Sequence, residues 1–154
     1  MGSDAFCLCT PLRGRNVYNQ DMDETTRREV ALYIEHAEDA LKVARLDLDN
    51  DFYTAAVNRA YYAVFYAANA LLATRKLARS KHSGVLAAFR QHFIKSGLLP
   101  VELSEIYGQV MEDRHEGDYE ILTALDKEDA VTDVKQAQHF VEEVRWWLQE
   151  GGWL

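Results

Sequence analysis

The sequence has little that stiffens or crosslinks a chain, since its 154 residues include only two prolines and two cysteines. With so few prolines and only eight glycines, long helices are favoured over many short strands joined by turns. Cys7 and Cys9 are separated by one residue, a spacing that strains a disulfide. No further ligands stand near them to complete a metal site. We therefore predict two free thiols in a reducing cytosol.

Long apolar runs are also missing. The longest nearly uncharged stretch, AYYAVFYAANALLA at 60–73, contains Asn69 and is too short to span a bilayer. The first twenty residues carry Asp4, Arg13 and Arg15 and lack the apolar core of a signal peptide. We predict a cytoplasmic protein that does not act on a membrane.

The motifs of several enzyme classes are absent. The sequence contains no GxxxxGK[ST] phosphate loop, no HExxH or CxxC metal motif and no GxSxG nucleophile elbow. Its carboxylates lack the paired Glu-x-x-His pattern of di-iron bundles. We therefore expect no metal and no cofactor, and any chemistry would be metal-free.

Acidic residues are missing from one third of the chain. Residues 52–101 hold seven cations and no carboxylate, whereas the segments before and after carry net charges of −5 and −10 within a total of −8. Such asymmetry points either to an anionic ligand or to pairing between the middle segment and its acidic neighbours. The two interpretations are compatible. The cations are Arg59, Arg75, Lys76, Arg79, Lys81, Arg90 and Lys95.

Apolar residues recur at spacings of three and four along most of the chain, which is typical of amphipathic helices. The segments run from Glu24 to Asp49, from about Phe52 to Arg75, from about residue 84 to Gly97, from about Pro100 to Gly117, and onward from an N-cap at Asp126. No two-residue period of the kind found in strands appears. The pattern predicts an all-α, up-and-down bundle of four long helices plus a shorter fifth helix.

The first residues look separate from this bundle. MGSD resembles the start of an expression sequence, and Met22 opens a segment that would serve as a natural start. We predict a leader at 1–21, either not native or not part of the domain, followed by a single helical domain at 22–154.

The second helix is apolar almost all round, so it should lie at the centre of the bundle. Arg59 stands within it, where a buried charge needs a partner, and a structural ion pair competes with contact to a ligand or partner chain. Its tyrosines suit a core or interface better than a base-stacking platform. They are Tyr53, Tyr61, Tyr62 and Tyr66.

The stretch VMEDRHEGDYEI at 110–121 carries the first candidate site. Continuing the apolar stripe of the fourth helix places Arg114 on the core-facing side, with Asp118 one turn away. Tyr119 could donate to a carboxylate or phosphate, while His115 points about 100° away from Arg114. The cluster is either an Arg114–Asp118 clamp that fixes the helix or a phosphate site, for which arginine is well suited.

The connection RKLARSKHSG at 75–84 carries the second candidate site. Its cations precede a helix that we expect to be capped by Ser80 or Ser83, an arrangement that favours anions. His82 titrates near neutral pH and could act as an acid or base, although a lone loop histidine is usually only exposed. The predicted nucleotide- or RNA-binding residues are Arg75, Arg79, Lys81 and His82, with Arg59.

Three ordered blocks together resemble the HEPN domain, a family of nucleotide-binding helical modules from higher eukaryotes and prokaryotes. They are AAVNRAYYAVFYAANALL at 55–72, KHSGVLAAFRQHFIKSGLLP at 81–100 and RHEGDYE at 114–120. The resemblance spans roughly residues 25–149 and implies a bundle of four or five helices, usually a homodimer. It also implies a toxin–antitoxin setting, since many members are encoded beside a small nucleotidyltransferase.

Many members of that family cleave RNA without metal, using an arginine and a histidine four to six residues apart at the dimer interface. Other members bind nucleotides or have no catalytic activity. The present chain departs from the pattern because Tyr119 stands where a histidine would follow Arg114. We therefore predict a module that binds a nucleotide or RNA phosphate, with a catalytic set of Arg114, His115, Asp118 and Tyr119 open to test. The alternative is an active endoribonuclease that pairs Arg114 with His115, or with His82 of a second subunit.

Overall fold

The computed structural model describes the backbone of residues 10–119 and 125–154 and, within these two ranges, the side chains from residue 24 onward except at 116, 118 and 119. The predicted free thiols of Cys7 and Cys9 lie outside the described residues.

Five α-helices form the described part of the chain, which contains no strand. They are α1 Thr10–Asp49, α2 Tyr53–Ala73, α3 His82–Phe89, α4 Val101–Tyr119 and α5 Lys127–Glu150, and a π-helical turn at Arg90–Ile94 continues α3. The prediction of an all-α bundle with one shorter helix is confirmed. Helix α1 begins at Thr10, inside the segment predicted as a leader, and whether that segment belongs to the functional domain stays a prediction. Among these helices none combines the length and apolarity needed to cross a bilayer.

Helix α2 is the central element, because it contacts each of the other four helices. Its buried face is rich in alanine, which lets the backbones of neighbouring helices come close, and the aromatic rings of Tyr61 and Phe65 fill the remaining space. Tyr62 and Tyr66 are half-buried and pack against the same core. The apolar sequence of this helix thus fixes both the centre of the bundle and the aromatic surface beside it.

The connections follow local backbone chemistry. Asp51 ends the α1–α2 turn with a φ of 62°, a left-handed conformation that aspartate tolerates better than most residues. Gly97, with a φ of 78°, ends the segment after the π-helical turn, as predicted from KSGLLP. Asp126 caps α5 by accepting a hydrogen bond from the backbone of Asp129 at 2.8 Å, which confirms the predicted N-cap.

Two sequence-based expectations are wrong. Helix α3 begins at His82 after an N-cap at Lys81 that has no side-chain cap bond, so neither Ser80 nor Ser83 caps it. Arg59 is exposed and not in a buried ion pair, because the aromatic helix α2 still leaves one side open to solvent.

Helix α5 buries one acidic residue against α4. Asp133 is 2% exposed, and its Oδ2 has no hydrogen-bond partner in the described part of the chain. Burial, followed by a hydrogen bond with Asp113, raises the pKa of Asp133 to about 8. The folded protein therefore keeps this carboxyl protonated at pH values where the unfolded chain, with an ordinary pKa near 3.8, ionises it.

Replacing this carboxyl should stabilise the fold in a pH-dependent way. Since the folded state binds the proton more tightly, stability falls as pH rises from about 4 to about 8. We expect Asp133→Asn to raise the free energy of unfolding by about 1–3 kcal/mol at pH 8 and by little at pH 4. Urea unfolding at the two pH values measures this. The exposed control Asp49→Asn should not show the effect, and an Asp133→Asn protein that is less stable at pH 8 would contradict the account.

Candidate functional site

His82, the first residue of α3, lies against the aromatic surface of α2. Its ring stacks on Phe65 with a centroid distance of 4.6 Å and on Tyr61 at 5.5 Å, and meets Tyr62 edge-on at 5.8 Å. The side chain is half-buried, so the expectation of a merely exposed loop histidine is wrong. Because α3 begins at this residue, the connection from α2 returns His82 to the middle of the bundle.

A short hydrogen bond fixes the orientation of the His82 ring. The hydroxyl of Tyr61 lies 2.6 Å from His82 Nδ1. Burial raises the pKa of Tyr61 to about 12, so the hydroxyl keeps its proton at neutral pH. This hydroxyl either donates to Nδ1 or accepts from Nδ1–H. In both cases the other ring nitrogen, Nε2, makes no hydrogen bond among the described residues.

Arg114 reaches the same tyrosine from α4. Its guanidinium carbon lies 4.5 Å from the centre of the Tyr61 ring and 5.4 Å from that of Tyr62, both within cation–π range. Its Nε is buried, although the residue as a whole is only half-buried. Arg114 therefore points inward, on the core-facing side expected from the helical spacing. The tyrosines that receive it belong to the core, and they also form a platform for this cation.

The cation beside His82 affects its protonation. Burial lowers the pKa of His82, and the positive charge of Arg114, followed by His115, lowers it further. The imidazole is therefore neutral at neutral pH, with a proton affinity below that of a solvent-exposed histidine. Arg114 and His82 both contact the ring of Tyr61, although the helices that carry them are far apart in sequence.

His115, the next residue of α4, is placed differently from Arg114. It is exposed and lines a groove of about 620 Å³ formed by α3, the π-helical turn and α4. The side chains of Asp118 and Tyr119 lie outside the described residues. The Arg114–Asp118 clamp and the donor role of Tyr119 therefore stay predictions.

Only part of the basic connection at 75–84 lies near His82. The backbone N–H of Arg79 donates to the Oδ1 of buried Asn69 at 2.9 Å, which anchors the chain just before Lys81 and His82. Arg79 and Lys81 are exposed beside the start of α3. Arg75 instead lies over the Phe93 ring at 5.1 Å, just after the end of α2.

Arg59 also stands apart from His82. It lines an open groove of about 660 Å³ at the start of α2, together with Asp51, Phe52 and Tyr53. The structure thus brings Arg114 and His82 together on Tyr61. Arg79 and Lys81 are exposed in the chain just before His82, whereas Arg75 and Arg59 line other surfaces.

Two structural roles were not predicted from the sequence. Tyr61 joins the arginine and the histidine, and Phe65 provides the stacking surface for the imidazole. The only feature of the sequence that points to these roles is the aromatic run of α2, and such a run is equally typical of a hydrophobic core. In the described ranges no group of three or more His, Cys, Asp or Glu side chains is placed to hold a metal ion.

The chain is similar to a known protein family and to several known proteins. The model of the HEPN domain matches residues 30–147. A UPF0332 protein of Thermotoga maritima is 41% identical over 108 residues, covering 70% of this chain and 82% of its own length. Two proteins of Methanocaldococcus jannaschii, both provisionally named toxins, are 38% and 33% identical. The alignments cover 71% and 84% of this chain, and 74% and 96% of those proteins.

Removing the charge of Arg114 should change the titration of His82. We expect Arg114→Gln to raise the pKa of His82 towards the ordinary value, since a neighbouring cation disfavours the imidazolium. The charge-preserving Arg114→Lys should leave it lowered. An NMR titration of the His82 ring signals measures both variants. An unchanged His82 pKa in Arg114→Gln would mean that the two side chains are not electrostatically coupled.

Proposed function

Because this chain belongs to the HEPN domain family, we propose that it binds the phosphate groups of RNA or of a nucleotide at Arg114 and His82. The observation that carries the proposal is that both side chains lie on the ring of Tyr61. This arrangement places a permanent cation and a neutral imidazole at one half-buried position beside the half-buried rings of Tyr62 and Tyr66.

The chemistry of the cluster suits a phosphate diester. A guanidinium stays charged at any working pH and offers paired N–H donors that match two phosphate oxygens. Arg79 and Lys81 add positive potential beside His82, within the part of the chain that has no carboxylate. The half-buried rings of Tyr62 and Tyr66 offer faces on which a base could stack.

A second candidate function, RNA cleavage, is favoured by one further observation, the hydrogen bond between Tyr61 and His82. With Nδ1–H donating to Tyr61, the Nε2 of His82 is unprotonated and can take the proton of a ribose 2′-hydroxyl. That oxygen attacks the adjacent phosphorus while Arg114 stabilises the negative charge that develops. The bond from phosphorus to the 5′-oxygen breaks, that oxygen takes a proton from water, and a 2′,3′-cyclic phosphate remains. In this scheme His82 of the same chain replaces the histidine that the motif lacks at Tyr119.

Substitutions at the two residues should separate binding from cleavage. We expect Arg114→Ala to weaken binding of single-stranded RNA at least tenfold, since a charge-assisted contact is lost. His82→Ala should abolish any cleavage while binding falls less. Fluorescence anisotropy and gel analysis of a labelled RNA, both in EDTA, measure the two effects. The exposed control Arg59→Ala should behave as wild type.

The outcomes discriminate between the candidate functions. If wild type binds RNA but does not cut it, the protein is a binding module. Cleavage that rises with pH and levels off below the pKa of an ordinary histidine identifies His82 as the base. An Arg114→Ala protein with wild-type affinity would refute the site.

We also propose that the chain works as a homodimer with a protein partner. Leu32 and Val43 are exposed on one face of α1, together with His36, which contacts Tyr66 of α2 at 5.4 Å. Exposed apolar side chains on one helix face suit a two-fold contact. The names of the two archaeal relatives support a toxin–antitoxin setting. A small nucleotidyltransferase is the proposed partner.

Disrupting this face should produce monomers. We expect light scattering to give twice the chain mass for wild type and the mass of a single chain for the double variant Leu32→Glu, Val43→Glu, because a buried carboxylate opposes association. Trp146→Glu, which replaces an exposed aromatic residue of α5, serves as the control and should remain dimeric. A monomeric wild-type protein at micromolar concentration would refute the dimer.

A further inference from the structure

Arg90 occupies the groove between the π-helical turn and α4. The groove is lined by both Arg90 and His115. The Nε of Arg90 donates to the hydroxyl of Ser104 on α4 at 2.8 Å. Arg90 is also the first residue of the π-helical turn, a local distortion that is frequent at functional sites.

A glycine makes room for this arginine. A Cβ on Gly108 would lie 3.0 Å from Arg90 Nη2, so the guanidinium would have to shift by a few tenths of an ångström to accept even an alanine. Gly108 stands in the interior of α4, where glycine destabilises a helix relative to alanine. The position of the Arg90 side chain provides a physical reason for that glycine.

Arg90 is held by a neutral group, although Glu105 and Glu112 line the same groove. Its polar partner is the neutral hydroxyl of Ser104, and no carboxylate in the described part of the chain forms an ion pair with it. The residue is exposed. A held guanidinium with free N–H donors in an open groove is suited to bind an anion from solution.

The groove lies beside the cluster on Tyr61 along α4. His115, which lines the groove, directly follows Arg114 in that helix. Tyr107 directly precedes Gly108, and its ring meets that of Tyr61 at 6.3 Å. Helix α4 rises about 10 Å between Gly108, which lies beneath Arg90, and His115, at 1.5 Å per residue.

We propose that Arg90 forms a second phosphate subsite and that the ligand of the Arg114–His82 site is therefore a single-stranded RNA segment rather than a mononucleotide. This inference rests on the proposed function. An RNA strand whose one phosphate lies at Arg114 would pass His115 and place a further phosphate at Arg90. A mononucleotide would reach only the first subsite.

Two carboxylates in the groove allow a substitution that should strengthen RNA binding instead of weakening it. Glu105 and Glu112 are exposed and line the same groove. An RNA backbone that follows the groove must pass their negative charges, so neutralising one of them should strengthen binding. RNA that binds elsewhere on the protein would be insensitive to Glu112.

The experiment measures binding of a labelled single-stranded RNA and of AMP to wild type, Arg90→Gln, Glu112→Gln and Arg114→Ala. We expect Arg90→Gln to weaken RNA binding roughly tenfold, and to reduce the slope of log K against log salt by about 0.7, the effect of one phosphate contact on a single strand. AMP binding should not change. Glu112→Gln should tighten RNA binding, whereas Arg114→Ala should weaken both ligands.

Two further variants check that a loss of binding is not a loss of fold. Gly108→Leu fills the groove beneath Arg90 with a good helix former, so we expect its melting temperature to hold or rise while RNA binding falls. Arg45→Gln removes one exposed cation from α1 and should leave RNA affinity unchanged.

Each outcome has a separate meaning. If RNA binding is lost in Arg114→Ala but unchanged in both Arg90→Gln and Gly108→Leu, the second subsite is refuted and the proposed function stands. If wild type binds neither RNA nor AMP, the proposed function itself fails. Equal weakening of AMP and RNA in Arg90→Gln would place Arg90 in the first subsite and would also refute the inference.

Discussion

The contact of Arg114 with the ring of Tyr61 determines where the candidate site holds its positive charge. Tyr61 is fully buried in the helix that contacts all the others, so its ring is held from several sides. A guanidinium placed on that ring remains charged at a half-buried position, where its interaction with an anion is screened less than in bulk water. The same tyrosine holds His82 by its hydroxyl. One core residue therefore sets the positions of both polar groups of the candidate site.

This arrangement gives the aromatic residues of α2 two roles. Towards the core, Tyr61 and Phe65 pack with Tyr107 and other buried residues. Towards the surface, they receive an imidazole and a guanidinium from α3 and α4. The site is thus carried by helices rather than by loops, which restricts the motion of its groups and favours defined geometry. The buried hydroxyl of Tyr61 also links the site to the stability of the core.

The fold was largely predictable from the sequence, while the site was only partly so. Periodicity located the helices, the Asp126 cap and the inward side of Arg114, because these depend on local spacing. It could not pair Arg114 with His82, since that contact depends on how the connection after α2 returns to the bundle. The hydrogen bond from the backbone N–H of Arg79 to Asn69 Oδ1 holds the connection in this position. In the sequence, Asn69 is recognisable only as a polar residue in an apolar run. Arg59 was misplaced for a similar reason, because an all-apolar sequence does not tell which side of a central helix stays open.

The central claim is that Arg114 and His82 form one binding site on Tyr61. It is tested most directly by titrating an isotope-labelled protein with an RNA dinucleotide and following the Arg114 Nε and His82 ring signals by NMR. The account predicts that both sets of signals shift together and yield the same dissociation constant. It would be contradicted if both sets stayed unchanged while signals elsewhere on the protein moved.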